Sequence, residues 1–254
     1  MLAECLAAEL GYRLIDRDVI VERAAAYGVS QEELREAMEK PPSFLERFRH
    51  RRYMYLALVQ AALTEEIRHG KAIYHGLAGH LLLPGGAAVL RTRIIAPLEF
   101  RIAMAQERLK FSRAEAVAYI HRVDQERRKW TQYLYGVDWG DPSLYDLVVN
   151  LEYLSIKEAC QLIAFTVRRR CYEFTPECRR TMEDLALASR VKANLAIHPP
   201  TSHLEFEVEA QEGAVRIRGK VSRVEEIDEV QRVALETPGV KQADVRELVP
   251  SVHV

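Results

Sequence analysis

The sequence predicts an α/β protein in which a parallel sheet covered by helices is followed by a small α+β domain. In residues 1–172, short apolar segments alternate with long segments of helical periodicity, as in a parallel sheet with helices on both faces. In residues 183–254, two segments alternate apolar and charged residues at period two, which indicates a hairpin with one solvated face. The stretch 173–182 is predicted to be the linker between the two domains.

Composition is that of an ordinary globular protein of two domains. The chain has 254 residues, of which 48% are hydrophobic and 29% charged. A net charge of −1 gives no argument for a nucleic-acid partner. The charge is unevenly spread: residues 1–180 carry 27 Lys and Arg against 24 Asp and Glu, whereas residues 181–254 carry 9 against 13. The mildly basic first part suits phosphate ligands without requiring them.

Cysteine usage and hydropathy predict a cytoplasmic protein. The four cysteines show no C-x-x-C pairing and no neighbouring histidine at zinc-finger spacing, so we expect free thiols. No apolar run approaches the ~20 residues that span a bilayer, so no transmembrane segment is predicted. The first residues also lack the basic region and apolar stretch of a signal peptide.

The first elements are predicted from apolar spacing and from residues that end or begin helices. Leucines recur at helical spacing over residues 2–10, and Gly11 suits the left-handed position after a helix. A short apolar strand follows and ends in Asp16-Arg17-Asp18. Residues 17–40 are rich in Glu and Ala and are predicted to be helical, with Ser30 and Glu33 as a capping box.

The rest of the first domain continues the alternation of strands and helices. The segment 87–96 is the best strand candidate because it contains Val89, Leu90, Ile94 and Ile95, and Pro97 suits the start of the next helix. In chain order, we expect a helix over 53–68, a strand over 72–75, a loop over 76–79, a strand over 87–96, helices over 97–109 and 112–131, a strand over 145–150 and a helix over 155–171.

The second domain has the order helix, strand, strand, helix, strand. Gly213 separates the two alternating segments and therefore marks the hairpin turn. Pro238-Gly239 ends the second helix. The predicted elements are a helix over 183–197, strands over 204–210 and 214–221, a helix over 223–236 and a strand over 240–248.

Five segments of the first domain, taken in order, resemble the cytidylate kinase-like family. Members of this family are relatives of the bacterial enzymes that phosphorylate CMP. The segments are LAAELGYRLIDRDVI, KPPSFLERF (40–48), RTRIIAPLEFRIAMAQER (91–108), IHRVDQERR (120–128) and YGVDWGDPSLYDLVVN (135–150). The resemblance covers roughly residues 2–170 and implies a P-loop kinase-like fold. It also implies ATP and Mg²⁺ as cofactors and a (deoxy)cytidine or related nucleoside monophosphate as acceptor.

The resemblance also points to a missing part. In P-loop kinases a strand and a glycine-rich turn precede the first helix, and the backbone N–H groups of that turn hold the phosphates. Met1 stands where this loop has already ended, and GGAAVLRT (85–92) lacks both the lysine and the spacing of a Walker A sequence. We therefore expect the first strand and phosphate loop to be absent and the polypeptide as written to have little or no kinase activity. The alternative is a non-catalytic nucleotide-sensing or regulatory protein.

The candidate catalytic residues are Arg122, Asp124, Arg127 and Arg128. Phosphoryl transfer needs cations over the transferred group, and the planar guanidinium of arginine binds two phosphate oxygens while staying charged. By resemblance to the lid segment of the family, Arg127 and Arg128 would contact the transferring phosphate, and Asp124 would orient an arginine or contact the substrate. An exposed helix face of mixed charge is the other interpretation.

The candidate substrate-binding residues lie at strand ends. Asp16 and Arg17 follow the first strand, where open α/β sheets bind ligands, although Asp16 equally suits a cap or turn. Arg91 and Arg93 flank the central strand on one face, which favours either a phosphate ligand or side chains that extend to solvent at the sheet edge. By resemblance, Gly76 belongs to the acceptor-nucleotide segment.

That segment also departs from the family pattern, because Leu77 stands where relatives have an arginine. Leucine neither pairs with phosphate nor donates a hydrogen bond.

Asp138 and Asp141 are either magnesium ligands or turn and cap residues, and no dedicated protein metal site is predicted.

The second domain resembles a BON domain, on the order of its elements and on the segments GAVRIRGKV and TPGVKQADV. This resemblance implies a phospholipid or another hydrophobic ligand, and it leaves a protein partner as an alternative.

Overall fold

The computed structural model describes residues 1–39, 49–76, 78–83 and 88–251. The chain forms two compact units, and each is built from two separate stretches of sequence. The first unit comprises Met1–Leu14 and Ala88–Glu173, and the second comprises Ile15–Ala87 and Phe174–Val254. The chain passes from the first unit to the second within a strand and returns after residue 87.

The helices and strands follow the predicted order. The helices are α1 (Leu2–Leu10), α2 (Arg17–Ala25), α3 (Gln31–Glu39), α4 (Arg49–Ile67), α5 (Leu98–Leu109), α6 (Arg113–Tyr135), α7 (Ile156–Val167), α8 (Pro176–Ile197) and α9 (Glu225–Glu236). The strands are β1 (Arg13–Ile15), β2 (Ala72–Tyr74), β3 (Thr92–Ile95), β4 (Leu147–Asn150), β5 (Phe206–Gln211), β6 (Ala214–Val221) and β7 (Gln242–Pro250). Short 3₁₀ helices lie at Gly79–Leu82, Pro142–Leu144 and Arg170–Tyr172.

The first unit is built around a two-stranded parallel sheet and two pairs of packed helices. β3 and β4 pair in register from Thr92 opposite Leu147 to Ile95 opposite Asn150. α1 packs on α7. α5 packs on α6 through a small core of apolar residues, namely Ile102, Ala105, Ala116 and Ile120. This core packs α5 against α6, the helix that carries the candidate catalytic residues.

The second unit is organised around α8, which packs against α4 and against β5. Its sheet has the order β5–β6–β7, in which β5 and β6 are antiparallel and β6 and β7 are parallel. Helices α8 and α9 cover one face, and their contact with the sheet forms a core that includes Leu195, Phe206, Ile217 and Val230. The outer face carries charged side chains, as the period-two alternation predicts.

Ile15, the last residue of β1, belongs to the same unit as its partner strand β2, and the amide of His75 donates to its carbonyl. The described strands of the first domain thus form two two-stranded sheets, whereas the alternation predicts a single parallel sheet. Each of these four strands has only three or four residues.

A tyrosine of α4 holds the edge of the three-stranded sheet. The hydroxyl of Tyr53 donates to the Phe206 carbonyl and accepts from the Phe206 amide, each at 2.9 Å. Burial raises the pKa of Tyr53 well above its usual range. Since β5 is an edge strand, its outward N–H and C=O groups need partners from outside the sheet. Tyr53 supplies both partners for one residue.

Several predicted helix and turn signals are confirmed. Gly11 follows α1 with φ 64°, and Gly213 turns the hairpin with φ 93°. Ser30 accepts from the Glu33 amide at 3.1 Å, as the capping box predicts. All four cysteines are free thiols. Among the residues that the structure describes, no helix combines the length and the hydrophobicity needed to cross a bilayer.

Other predicted bounds are wrong. The strand predicted over 87–96 is limited to β3, whose residues are the ones that pair with β4. Ala88 has a φ of 53°, outside the extended region, and residue 87 lies outside the described residues. β1 ends at Ile15 rather than at Asp16-Arg17-Asp18, and Asp16 caps α2, as the cap interpretation predicts. α8 begins at Pro176, seven residues before the predicted helix start at 183, with Thr175 as its cap. The helix therefore includes most of the stretch 173–182, and the domain boundaries at 172 and 183 stay a prediction.

We predict that Tyr53→Phe destabilises the second unit by about 1–3 kcal/mol, because two buried backbone groups lose their hydrogen-bond partner. The change in the free energy of unfolding is measurable by urea denaturation followed by far-ultraviolet circular dichroism. Tyr153→Phe is the matched control, since Tyr153 is 89% exposed. Equal stability of the two variants would contradict the proposed role of the Tyr53 hydroxyl.

Candidate functional site

All four candidate catalytic residues lie on α6. Ser112 caps this helix: its hydroxyl accepts from the Glu115 amide at 3.3 Å, and its own amide donates to the Glu115 carboxylate at 2.8 Å. The helix ends at Gly136, which has φ 70°. These two signals are local in sequence and give a helix of 23 residues. Their combined effect is a rigid support for the charged segment 122–128.

Asp124 is held by Arg101 of α5. Two parallel hydrogen bonds of 2.6 and 2.7 Å join the guanidinium of Arg101 to the two carboxylate oxygens of Asp124. Hydrogen bonding from Arg101 lowers the pKa of Asp124, and the charges of Arg127 and His121 act in the same direction. The carboxylate is therefore ionised and fixed in orientation at neutral pH. Asp124 thus forms an ion pair with an arginine of the neighbouring helix, and its role in substrate binding stays a prediction.

Arg127 and Arg128 lie on the helix face of Asp124, because they follow it by three and four residues. Both side chains are exposed. The structure gives no ion pair for either among the residues it describes. They are cations beside a fixed carboxylate and accessible to a ligand.

Arg122 faces away from this group. Two residues before Asp124 on an α-helix correspond to a rotation of about 200°. Its guanidinium lies 5.6 Å from the ring centre of Tyr119 and 4.0 Å from Glu126. The structure thus brings Asp124, Arg127 and Arg128 together on one face of α6 and separates Arg122 from them.

Arg91 is paired within the first unit. Its guanidinium donates to both oxygens of Asp146, at 2.7 and 3.1 Å, and its backbone amide donates to the same carboxylate at 2.8 Å. Arg91 precedes β3 and Asp146 precedes β4, so parallel pairing of the strands places them together at one edge. The guanidinium is more than one third exposed, so it remains accessible at the sheet edge.

Arg93 contacts the loop that precedes β4. It donates to the Gly140 carbonyl at 2.8 Å and lies 5.6 Å from the ring centre of Tyr145. The ring of Tyr145 meets Trp139 edge to face, so Trp139 packs in this loop.

The two aspartates of the loop serve as turn and cap residues. Asp138 accepts from the Gly140 amide and Asp141 from the Ser143 amide, each at 2.8 Å. The described residues also contain no cluster of three or more His, Cys, Asp or Glu side chains suited to a metal ion. The local geometry of both aspartates is that of the turn and cap interpretation.

Asp16, Arg17 and Gly76 belong to the second unit. Asp16 caps α2 by accepting from the Val19 amide at 3.1 Å. Arg17 and Gly76 both lie near Tyr74. Burial raises the pKa of Tyr74 to about 12, although the positive charge of Arg17 partly opposes this shift. A methyl group at Gly76 would lie only 2.3 Å from the Tyr74 hydroxyl oxygen, so a larger residue at this position would require the Tyr74 side chain to move. Leu77 lies outside the described residues.

Three residues of these clusters were missed by the sequence analysis, namely Arg101, Asp146 and Tyr74. Arg101 and Asp146 lie within segments that carry the family resemblance, yet nothing local distinguishes them from surface charges. The signal for Asp146 is its position immediately before a strand, which matches the position of Arg91. Tyr74 is signalled only by the two glycines, Gly76 and Gly79, that make room for its ring.

Comparison with family models gives two matches. The model described as "Cytidylate kinase-like family" matches residues 1–153, and the model described as "BON domain" matches residues 183–246.

Two similar curated proteins are both named cytidylate kinase. The protein from Ignicoccus hospitalis is 30% identical over 153 residues, which cover 59% of this chain and 80% of that protein. The protein from Staphylothermus marinus is 31% identical over 102 residues, which cover 39% of this chain and 55% of that protein. The second match thus spans just over half the length of the relative.

A solved structure of an uncharacterized protein from Eubacterium ventriosum is also similar. It is 16% identical, with a TM-score of 0.46, over 65% of this chain and 89% of that chain. Similarity at this level carries no argument about function.

The lowered pKa of Asp124 predicts a pH-dependent contribution to stability. Because the folded-state pKa lies below the unfolded value of about 3.9, the contribution is present above pH ~4 and is lost as pH falls through the folded pKa. We expect Asp124→Asn to reduce the free energy of unfolding by about 0.5–1 kcal/mol at pH 7, since the pair is partly exposed, and by less at low pH.

Urea denaturation followed by tryptophan fluorescence measures this change, because Trp130 and Trp139 both belong to the first unit. Arg101→Gln and the double variant complete a thermodynamic cycle in which the coupling energy should vanish at low pH. A pH-independent coupling energy would rule out the ion pair as its source.

Proposed function

Because the chain belongs to the cytidylate kinase-like family and carries a C-terminal BON domain, we propose that its kinase-like region serves ATP-dependent phosphoryl transfer to a (deoxy)cytidine or related nucleoside monophosphate. The observation that carries this proposal is the group on α6, where Arg101 fixes Asp124 while Arg127 and Arg128 remain exposed on the same face. Arg127 and Arg128 can therefore bind phosphate, because the negative charge of the neighbouring Asp124 is already neutralised by Arg101.

The chemistry of the reaction fits this division of roles. Phosphoryl transfer depends on positioning and on stabilising the charge that spreads over the transferred oxygens. Arg127 and Arg128 would bind those oxygens, and Asp124 would keep the local arrangement of arginines fixed. Arg122 lies on another face of the helix, beside Tyr119 and Glu126, and is therefore not part of this phosphate-binding group.

The acceptor nucleotide is assigned to the strand ends. Arg91 and Arg93 lie at the start of β3, and both guanidinium groups keep donors beyond those used by Asp146 and Gly140. Within the second unit, Asp16, Arg17 and Gly76 are proposed separately as substrate-binding residues, on the family resemblance alone. There, Gly76 keeps the backbone free of a side chain beside Tyr74.

The described side chains suit the phosphates of ATP better than they suit Mg²⁺. Exposed arginines suit the phosphates, whereas the described carboxylates Asp138 and Asp141 already cap turns. Mg²⁺ would therefore be held chiefly by phosphate oxygens, where it would neutralise developing charge. The protein residues would bind and orient the phosphates.

A second candidate function is nucleotide sensing without catalysis, with the BON domain binding a phospholipid or a protein partner. It is favoured by the absence of a Walker A sequence from residues 1–254. Phosphate-loop amides position the nucleotide, and positioning accounts for roughly 7–11 kcal/mol of barrier lowering where it is complete. We therefore expect a polypeptide of these residues to transfer phosphate from ATP to CMP slowly or not at all.

We predict that Arg127→Ala and Arg128→Ala each weaken ATP binding by about tenfold, because each removes a charge-assisted hydrogen bond to phosphate. Equilibrium dialysis with radiolabelled ATP measures the dissociation constant. Arg180→Ala is the control, since it removes an exposed arginine of α8. Unchanged affinity in both α6 variants would remove these residues from the site.

Transfer kinetics separate the two candidate functions. A coupled assay with ATP and CMP gives turnover, and robust turnover by residues 1–254 would exclude the sensing function. In any active form, Arg127→Ala and Arg128→Ala should lower kcat by roughly 10²-fold and raise KM less, because their contacts strengthen in the transition state. Unchanged kcat would contradict their catalytic role.

A further inference from the structure

The second unit contains a cleft between α4, α8 and the edge strand β5. Its volume is about 280 Å³. One part of the lining is apolar and consists of Leu185, Ala188 and Val208, while Lys192 adds a positive charge. The volume lies at the small end of the range for ligand sites, so the cleft suits a small molecule.

The charge of Lys192 is only partly compensated by the described residues. Its ammonium lies 5.0 Å from the ring centre of Tyr53, and the structure gives no hydrogen bond or ion pair for it among the residues it describes. Burial lowers the pKa of Lys192, and the charges of Glu205 and Glu207 oppose this effect only in part. A partly buried ammonium without a carboxylate at ion-pair distance is costly, which favours an anionic group of a ligand beside it in the cleft.

The edge of β5 adds a backbone donor and acceptor. At one end Tyr53 binds both the N–H and the C=O of Phe206, and at the other end the Glu212 amide donates to Asp184 at 2.7 Å. Alternate residues of a strand direct these groups to the same edge, so the N–H and C=O of Val208 also point outward. Val208 lines the cleft. A ligand there meets one N–H donor and one C=O acceptor.

Two carboxylates restrict the ligand further. Glu207 and Glu209 line the same cleft, and Glu209 is already bonded to Arg218 at 2.9 Å. A simple anion attracted by Lys192 would be repelled by Glu207, whereas a ligand that also carries a cation would satisfy both charges.

We propose that this cleft binds a small zwitterion of the α-amino acid class with a short apolar side chain. The carboxylate of the ligand pairs with Lys192 and accepts from the Val208 amide. Its ammonium donates to the Val208 carbonyl and faces Glu207, and its side chain packs on Leu185 and Ala188. The proposal is independent of the kinase-like function, since every residue involved belongs to the second unit.

Calorimetric titration of the full chain with three probes tests the charge requirement. The probes are L-2-aminopentanoate, which carries both charges, pentanoate, which carries the anion, and butylamine, which carries the cation. We expect the zwitterion to bind at least about tenfold more tightly than either singly charged probe, because each of them lacks one charge-assisted hydrogen bond. Equal binding of pentanoate and the zwitterion, or binding of none of the three, would overturn the proposal.

Two further measurements locate the site. Lys192→Met keeps most of the side-chain volume and should weaken zwitterion binding by about tenfold, while the exposed Lys220→Met should leave it unchanged. Independently of any variant, the backbone amide resonance of Val208 should shift on titration of the wild-type chain with the zwitterion. Full binding by Lys192→Met, or an unmoved Val208 resonance, would place the ligand elsewhere and contradict the assignment.

Discussion

The packing of α8 between α4 and the three-stranded sheet is the constraint on which the second unit depends. One side of α8 contributes to the core with Phe206, Ile217 and Val230, and another meets the largely apolar α4. Tyr53 of α4 then binds the edge strand through the Phe206 peptide group. As a result, a helix from the range matched by the kinase-like family and the BON domain contribute to the same compact unit. A helix of the kinase-like region therefore packs against the BON domain.

In the first unit the corresponding constraint is electrostatic. Arg101 and Asp124 join α5 to α6 above a small core, and Arg91 and Asp146 join the starts of β3 and β4. Each pair neutralises a carboxylate that would otherwise repel a phosphate group. Consequently, the exposed cations on α6, Arg127 and Arg128, are the side chains best suited to bind the phosphates of a nucleotide. This distribution of paired and exposed charge supports the proposed phosphate-binding role more directly than the number of arginines does.

Local signals allowed much of the fold to be predicted from the sequence. The Ser112 cap, Gly11 and the Gly213 turn depend on neighbouring residues, so their patterns are readable without knowledge of packing. The contacts that organise the sites were not predictable in this way. Asp124 meets an arginine 23 positions away because two helices pack, and Tyr53 reaches a peptide group 153 positions away because α4 packs on α8. Likewise, β3 is shorter than its apolar pattern indicates, since only Thr92–Ile95 pair with β4.

Hydrogen exchange measured by mass spectrometry on the intact chain tests most directly whether α4 and the BON domain form one cooperative unit. Peptides from residues 53–67 and 185–197 should show the same free energy of opening, because breaking the packing of α4 on α8 exposes both helices. Tyr53→Phe should lower that free energy for both peptides together. Exchange of the 53–67 peptide at a markedly lower free energy than the 185–197 peptide, unaffected by the substitution, would contradict the account.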